Sequence, residues 1–283
     1  MAIIAFWSAE KKECGQTLSM AAVATYMCVQ HNYKTLMVNA TFQNNTLERC
    51  FWNLKKSNKV ARQLNSGKID IASGAEGLVS AIASNKVTPE VISSYTKVVY
   101  KDRLDVLTGL KTPIREDFEK SLMLYKDLLN TANKYYDFVF VDVEKSLDRD
   151  TTQAILDCAS IIIYVMPPNL QLIDKYIENA QTMKILKKNN LIPLLARSDS
   201  LSQYNSKNVG KYISEKGTMP TIPYNTQFME SACEAKVAHM FLNNYMRKKT
   251  SNSIIDKESR FYQDIQEVDN KIIYKLQELQ YLT

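Results

Sequence analysis

Residues 2–31 read "AIIAFWSAEKKECGQTLSMAAVATYMCVQH". The stretch "AIIAFW" (2–7) is apolar at every position, as a strand covered on both faces must be. Over 15–31, Leu18, Ala21, Ala22, Thr25 and Val29 recur at helical spacing on one face. Between the two patterns, Ser8 to Thr17 forms a polar strand-to-helix turn. In open α/β sheets ligands sit at the carboxyl ends of strands, and the loop after the first strand is the prime location.

The same alternation runs outward along the chain. Strand-like runs are "TLMVN" (35–39), "YTKVVY" (95–100), "LDVLTG" (104–109), "DFVFVDV" (137–143), "SIIIYVM" (160–166), "NLIPLLA" (190–196) and "TMPTIPY" (218–224). Helical patterns lie near 74–85, 115–134, 150–158, 170–188 and 227–246. Strand–helix alternation over this length predicts an α/β fold: a mostly parallel, doubly wound sheet with helices on both faces, in three layers. Polar segments 55–70, 198–217 and 247–258 read as flexible connections. The last separates a helical extension, 247–283, from the main domain, 1–246. In its helix (258–281), Phe261, Ile265, Val268, Ile272, Leu276 and Leu279 step by four and three, the spacing of a packing seam. That seam either packs on its own domain or docks a second chain. Between Arg260 and Leu282 acidic residues slightly outnumber basic ones, which disfavours a membrane surface.

A chain of 283 residues with net charge +6 can bury a large core and is modestly basic. Its five cysteines include no C-x-x-C pair, and its two histidines, His31 and His239, stand alone. A disulfide framework, a zinc site and a histidine-based triad are therefore not expected. "MAIIAFW" is too short for the apolar region of a signal peptide, and no stretch approaches the roughly 20 apolar residues of a membrane span. The expectation is a soluble, cytoplasmic protein with no transmembrane segment.

A phosphate-binding P-loop reads G-x-x-x-x-G-K-[ST]. Its glycines turn backbone N–H groups toward phosphate, its lysine supplies charge, and its hydroxyl holds magnesium. The matching positions here are Glu10, Lys11, Lys12, Glu13, Cys14, Gly15, Gln16 and Thr17. Only Gly15 and Thr17 fit, so this window alone is a weak signal. Gly15 equally suits a plain turn, Thr17 an ordinary first turn of a helix, Asp142 a strand end or helix cap, and Lys11 and Lys12 a solvated surface. Cys14 reads as a buried thiol rather than a nucleophile. Pro167, Pro168, Pro223 and Tyr224 equally suit loops at the sheet edge.

Further blocks appear in a fixed order: "LMVNATFQNNTL", "LDVLTGLKTP", "YDFVFVDVEKSL", "ASIIIYVMPP" and "IPYNTQFMESACEAKVAHMF". As an ordered set, with the loop, they resemble the MinD/ParA family of deviant-Walker P-loop ATPases, which includes pilus-locating proteins of the TadZ/CpaE type. The resemblance covers about residues 1–245. It implies ATP and Mg2+ as ligands, with Lys11, Lys12, Cys14, Gly15, Gln16, Thr17 and Leu18 around the phosphates. It puts magnesium at Thr17 and Asp142. It puts the base near Arg197, which follows Ala196 where the family has asparagine, and near Pro223 and Tyr224. A homodimer and a larger protein assembly are the implied partners.

The departures cluster on the chemistry. Gln16 stands where the family has its phosphate lysine, Asn39 and Thr41 where it has two carboxylates, and Leu18 where it has a hydroxyl. Lys12 and Glu13 replace glycines. Phosphoryl transfer depends on positioned charge. The expected protein is a degenerate family member with weak or no ATP hydrolysis, acting as a dimeric scaffold or localisation factor for a pilus, secretion or conjugation apparatus. Two alternatives stay open. One is an active ATP-dependent switch. The other is a ParA-like DNA binder, for which Lys184, Lys187, Lys188, Arg247, Lys248 and Lys249 supply the charge.

Overall fold

The computed structural model describes residues 1–9, 14–54, 74–84, 87–145, 149–215, 217–250 and 257–281. Its strands are β1 (Ala2–Trp7), β2 (Thr35–Ala40), β3 (Lys97–Tyr100), β4 (Leu104–Leu107), β5 (Phe138–Val143), β6 (Ile161–Met166), β7 (Leu191–Ser198) and β8 (Thr221–Pro223). They form one eight-stranded sheet in the order β3-β4-β2-β5-β1-β6-β7-β8. Every described pairing is parallel except that of β3 with β4. All eight runs singled out in the sequence are strands.

The apolar character of β1 has a direct physical cause. Ala2, Ile4 and Phe6 face one core cluster while Ile3, Ala5 and Trp7 face the other, so both sides need apolar residues. The first cluster contains helix α1 (Gln16–Gln30), and the second contains the helices Ala75–Ala83, Arg115–Leu122 and Tyr125–Ala132. The register aligns Phe6 with Asp142 and Asn39 with Asp142. Asp142 therefore stands between β1 and β2 at the carboxyl end of the sheet, beside the turn into α1.

The last helix, Lys257–Tyr281, packs against α1, β6 and β8. Phe261, Ile265, Val268 and Ile272 of its seam, with neighbouring Tyr262, are buried in the same cluster as α1, and Leu276 and Leu279 pack against it partly buried. His31, just past the end of α1, meets buried Asp269 of that helix at 2.7 Å. Of the two readings of the seam, the geometry is that of packing on its own domain.

Three helical patterns are shorter than the sequence suggests. The 115–134 pattern is two helices broken at Met123–Leu124, and 227–246 is Thr226–Cys233 followed by Val237–Thr250. In the second case Ala235 takes φ 60°, which no helix continues through. The 170–188 pattern ends as an α-helix at Thr182 and finishes as a short 3-10 turn, Lys184–Lys187. The segment 198–217 contains the helix Ser206–Tyr212, capped by the Asn205 side chain accepting from the Asn208 N–H. Segment 55–70 and residues 251–256 lie outside the described residues. Among the described helices none is long and apolar enough to cross a membrane. All five cysteines are free thiols.

Candidate functional site at the amino end of the first helix

The chain re-enters the described structure at Cys14, whose side chain is buried in the core. Gly15 follows at φ 84°, ψ 12°, the left-handed region that favours glycine. A Cβ there would also lie 3.3 Å from the Ala196 Cβ and 3.4 Å from the Arg197 Cγ and Nε. Conformation and close approach both demand glycine. Arg197 is itself at φ 54°, exposed, and leans over the start of α1.

Gln16 is the first residue of α1 and is only 2% exposed. Its Nε2 donates to Asp142 Oδ1 at 2.7 Å and to the Val143 carbonyl at 2.8 Å. Its Oε1 is buried without a partner. Thr17 Oγ1 donates to the other carboxylate oxygen, Asp142 Oδ2, at 2.6 Å. Asp142 is buried, and that burial pushes its carboxyl up to about 6 against the opposing pull of Thr17, Gln16 and Lys145. The residue in the lysine position is thus turned inward, and its amide is spent on the end of β5.

The two positions expected to carry carboxylates are committed to an internal network. Asn39 Nδ2 donates to the Asn44 carbonyl at 2.7 Å and to both Glu48 carboxylate oxygens at 3.0 Å. Asn39 Oδ1 accepts from the Thr41 N–H at 3.0 Å and the Thr41 hydroxyl at 2.5 Å. Buried Glu48 also accepts from the Gly109 N–H at 2.8 Å. With Asn39 and Thr41 saturated in this way, the group binds β2 to the helix Thr46–Arg49 and to the turn after β4.

In front of Gly15 lies a cleft of about 650 Å³. Gly15, Gln16, Thr17 and Leu18 form one wall, and Arg49, Lys145 and Arg197 supply its charge. Trp52, half-buried, also lines it. Sequence reasoning missed Glu48, Arg49, Lys145 as a cleft cation, and Trp52. Trp52, three positions past the short helix Thr46–Arg49, carries no local mark of cleft lining. Pro223 and Tyr224 fall at the end of β8 and are not among the cleft-lining residues; the Tyr224 N–H donates to the Ser198 carbonyl at 3.0 Å and its ring is exposed. Lys11 and Lys12 lie outside the described residues. Of the basic clusters, Lys188 pairs with Asp157, and Lys187 donates to the Gln181 carbonyl at 2.7 Å. The side chains of Lys248 and Lys249 lie outside the described residues.

No protein-family model matches the sequence, and no curated protein matches it. Solved structures do match. A ParA family ATPase from Chlorobium tepidum is 17% identical with a TM-score of 0.63, over 87% of this chain and 98% of that one. The septum site-determining protein MinD of Pyrococcus horikoshii, complexed with Mg-ADP, is 16% identical with a TM-score of 0.63, over 97% and 98%. A Borrelia burgdorferi chain described as a plasmid partition protein, bound to AMPPNP, is 18% identical with a TM-score of 0.61, over 95% and 98%. At these identities the likeness concerns the fold. The mostly parallel eight-stranded sheet with helices on both faces is similar to that of the MinD and ParA P-loop ATPases, with Gly15 and Asp142 at the end of the sheet where such folds bind ligands.

Proposed function

We propose that this protein is a MinD/ParA-like scaffold or localisation factor that has given up ATP turnover. The observation that carries this is the double donation from Gln16 Nε2 to Asp142 and Val143. Phosphoryl transfer needs cations aimed at the transferring group and a carboxylate or metal to orient the nucleophile. Here the amide at the lysine position faces the sheet, and the side chains at the carboxylate positions, Asn39 and Thr41, bond to one another and to their surroundings. Asn39 has no basic oxygen to offer.

A protein that no longer cycles through nucleotide states has no reason to couple its assembly to them. On this reading the chain forms a homodimer that recruits or places a larger assembly of the pilus, secretion or conjugation kind. The test is molar mass by light scattering with and without ATP and magnesium. A two-chain mass that is unchanged by nucleotide is expected. A mass that doubles only on adding ATP would overturn this reading in favour of the active switch.

A further inference from the structure

Two of the free thiols, far apart in sequence, share one place in the fold. Cys50 follows the last turn of the helix Thr46–Arg49, and Cys233 ends the helix Thr226–Cys233. Both line the cleft in front of Gly15. The Val237 N–H donates to the Cys50 carbonyl at 3.2 Å, so the turn that follows Cys233 is fastened to the backbone at Cys50. That turn is itself fixed. The Glu234 N–H donates to the Glu230 carbonyl at 2.9 Å, the Lys236 N–H donates to the Ser231 carbonyl at 2.8 Å, and Ala235 is left-handed. Cys233 is exposed, whereas Cys50 is buried. The Cys50 thiol donates to the Thr46 carbonyl at 3.3 Å, a weak bond that rotation of the side chain releases.

The pair has the chemistry of a two-thiol exchange site rather than of a metal centre. Among the described residues no group of three acidic, histidine or cysteine side chains could hold a metal ion. In thiol exchange the thiolate is the attacking form. Burial pushes the Cys50 thiol up to about 12, and charge on Glu48 of its own helix, on Asp142 of β5 and on Cys233 adds to the rise. Cys50 is thus screened from reagents in solution, and exposed Cys233 is the thiol that such a reagent meets first. A stabilised thiolate favours the reduced state, so its absence at Cys50 favours the disulfide.

We propose that Cys50 and Cys233 form an exchange site for a small disulfide of the glutathione class, whose product is a reversible bridge between Cys50 and Cys233 across the cleft. The cleft, at about 650 Å³, has room for a tripeptide. The Cys233 sulfur, having lost its proton to solvent, attacks one sulfur of glutathione disulfide. The S–S bond breaks, one glutathione leaves and takes up a proton, and a mixed disulfide forms at Cys233. Cys50 then loses its proton, and its sulfur attacks the Cys233 sulfur and expels the second glutathione. Two protein thiols are oxidised to one disulfide, and one glutathione disulfide is reduced to two glutathiones. The site goes beyond the scaffold reading and stands whether or not the chain turns over ATP.

The test is a time course of the folded, fully reduced protein in excess glutathione disulfide, quenched with acid and followed by intact mass and by mapping of linked peptides. Expected first is a species heavier by one glutathione on Cys233. It then converts to one lighter than the starting protein by two hydrogens, with Cys50 joined to Cys233, and dithiothreitol returns both to the reduced form. Because Cys50 is so little ionised, that conversion should quicken about tenfold per pH unit between pH 7 and 9. Cys233→Ser should remove both species at these positions, and Cys50→Ala should stop at the first. The wild-type pH series decides independently of how the variants fold. A Cys233 adduct that never resolves, a bridge to any other cysteine, a bridge that forms only in urea, or a conversion rate flat between pH 7 and 9 would each overturn the proposal.

Discussion

Asp142→Asn is expected to stabilise the protein by about 3 kcal/mol above pH 7. The folded protein holds the Asp142 carboxyl at about 6, against an ordinary value of 3.8, and desolvation is the main cause. A group whose pKa is raised by folding contributes fully below its unfolded value and loses that contribution as pH rises through its folded one. For Asp142 the window is therefore about 3.8 to 6, and at higher pH the native state carries a buried charge it would be better without. Asparagine keeps the shape and both hydrogen bonds. Its oxygen accepts from Gln16, and its amide donates to the Thr17 hydroxyl oxygen, which is free to turn. Urea unfolding of the two proteins between pH 4 and 8 measures this. Folding also raises Asp105, Asp264 and Asp269, so the difference between variant and wild type isolates Asp142. The difference should grow across the window and then level off. A variant less stable than wild type at pH 8 would mean that the site needs the charge, as a cation site does.

Phe261→Ala is expected to cost about 3–5 kcal/mol, the usual range for truncating a fully buried ring. Phe261 is 1% exposed, with ring centroids 5.3 Å from Phe228, 5.5 Å from Tyr262 and 6.5 Å from Phe241. The last helix thereby closes the core over α1 and the β8 edge of the sheet. Denaturant unfolding checks the figure. A cost under about 1 kcal/mol would mean that the ring faces solvent and serves a partner instead.

These two residues illustrate what a sequence displays and what it conceals. β1 was legible to the residue, because a strand buried on both faces must be apolar throughout. So were the other strands, within a few positions. The seam of the last helix was legible in its spacing, but not in its destination, since packing inward and docking a second chain use the same residues. The helix breaks at 123–124 and 234–236 were not legible. Ala235 adopts a left-handed conformation without a glycine to announce it.

Gly15, Gln16, Thr17 and Asp142 were singled out together from one resemblance, and the structure places all four side by side. The bond that ties Gln16 to Asp142 was hidden. It joins Gln16 to Asp142 across 126 residues, and nothing local marks a glutamine that turns inward. Glu48 was hidden for the same reason, since its partners Asn39 and Gly109 come from other elements. Arg49, Lys145 and Trp52 become a group only once the chain is folded.

Steady-state release of phosphate from magnesium-ATP by the purified full-length chain tests the central claim most directly. With the Gln16 amide held by Asp142 and Val143, release should not rise above that of a heat-denatured sample over many hours. Multiple turnovers per chain, dependent on magnesium and lost in Lys11→Ala, would contradict it.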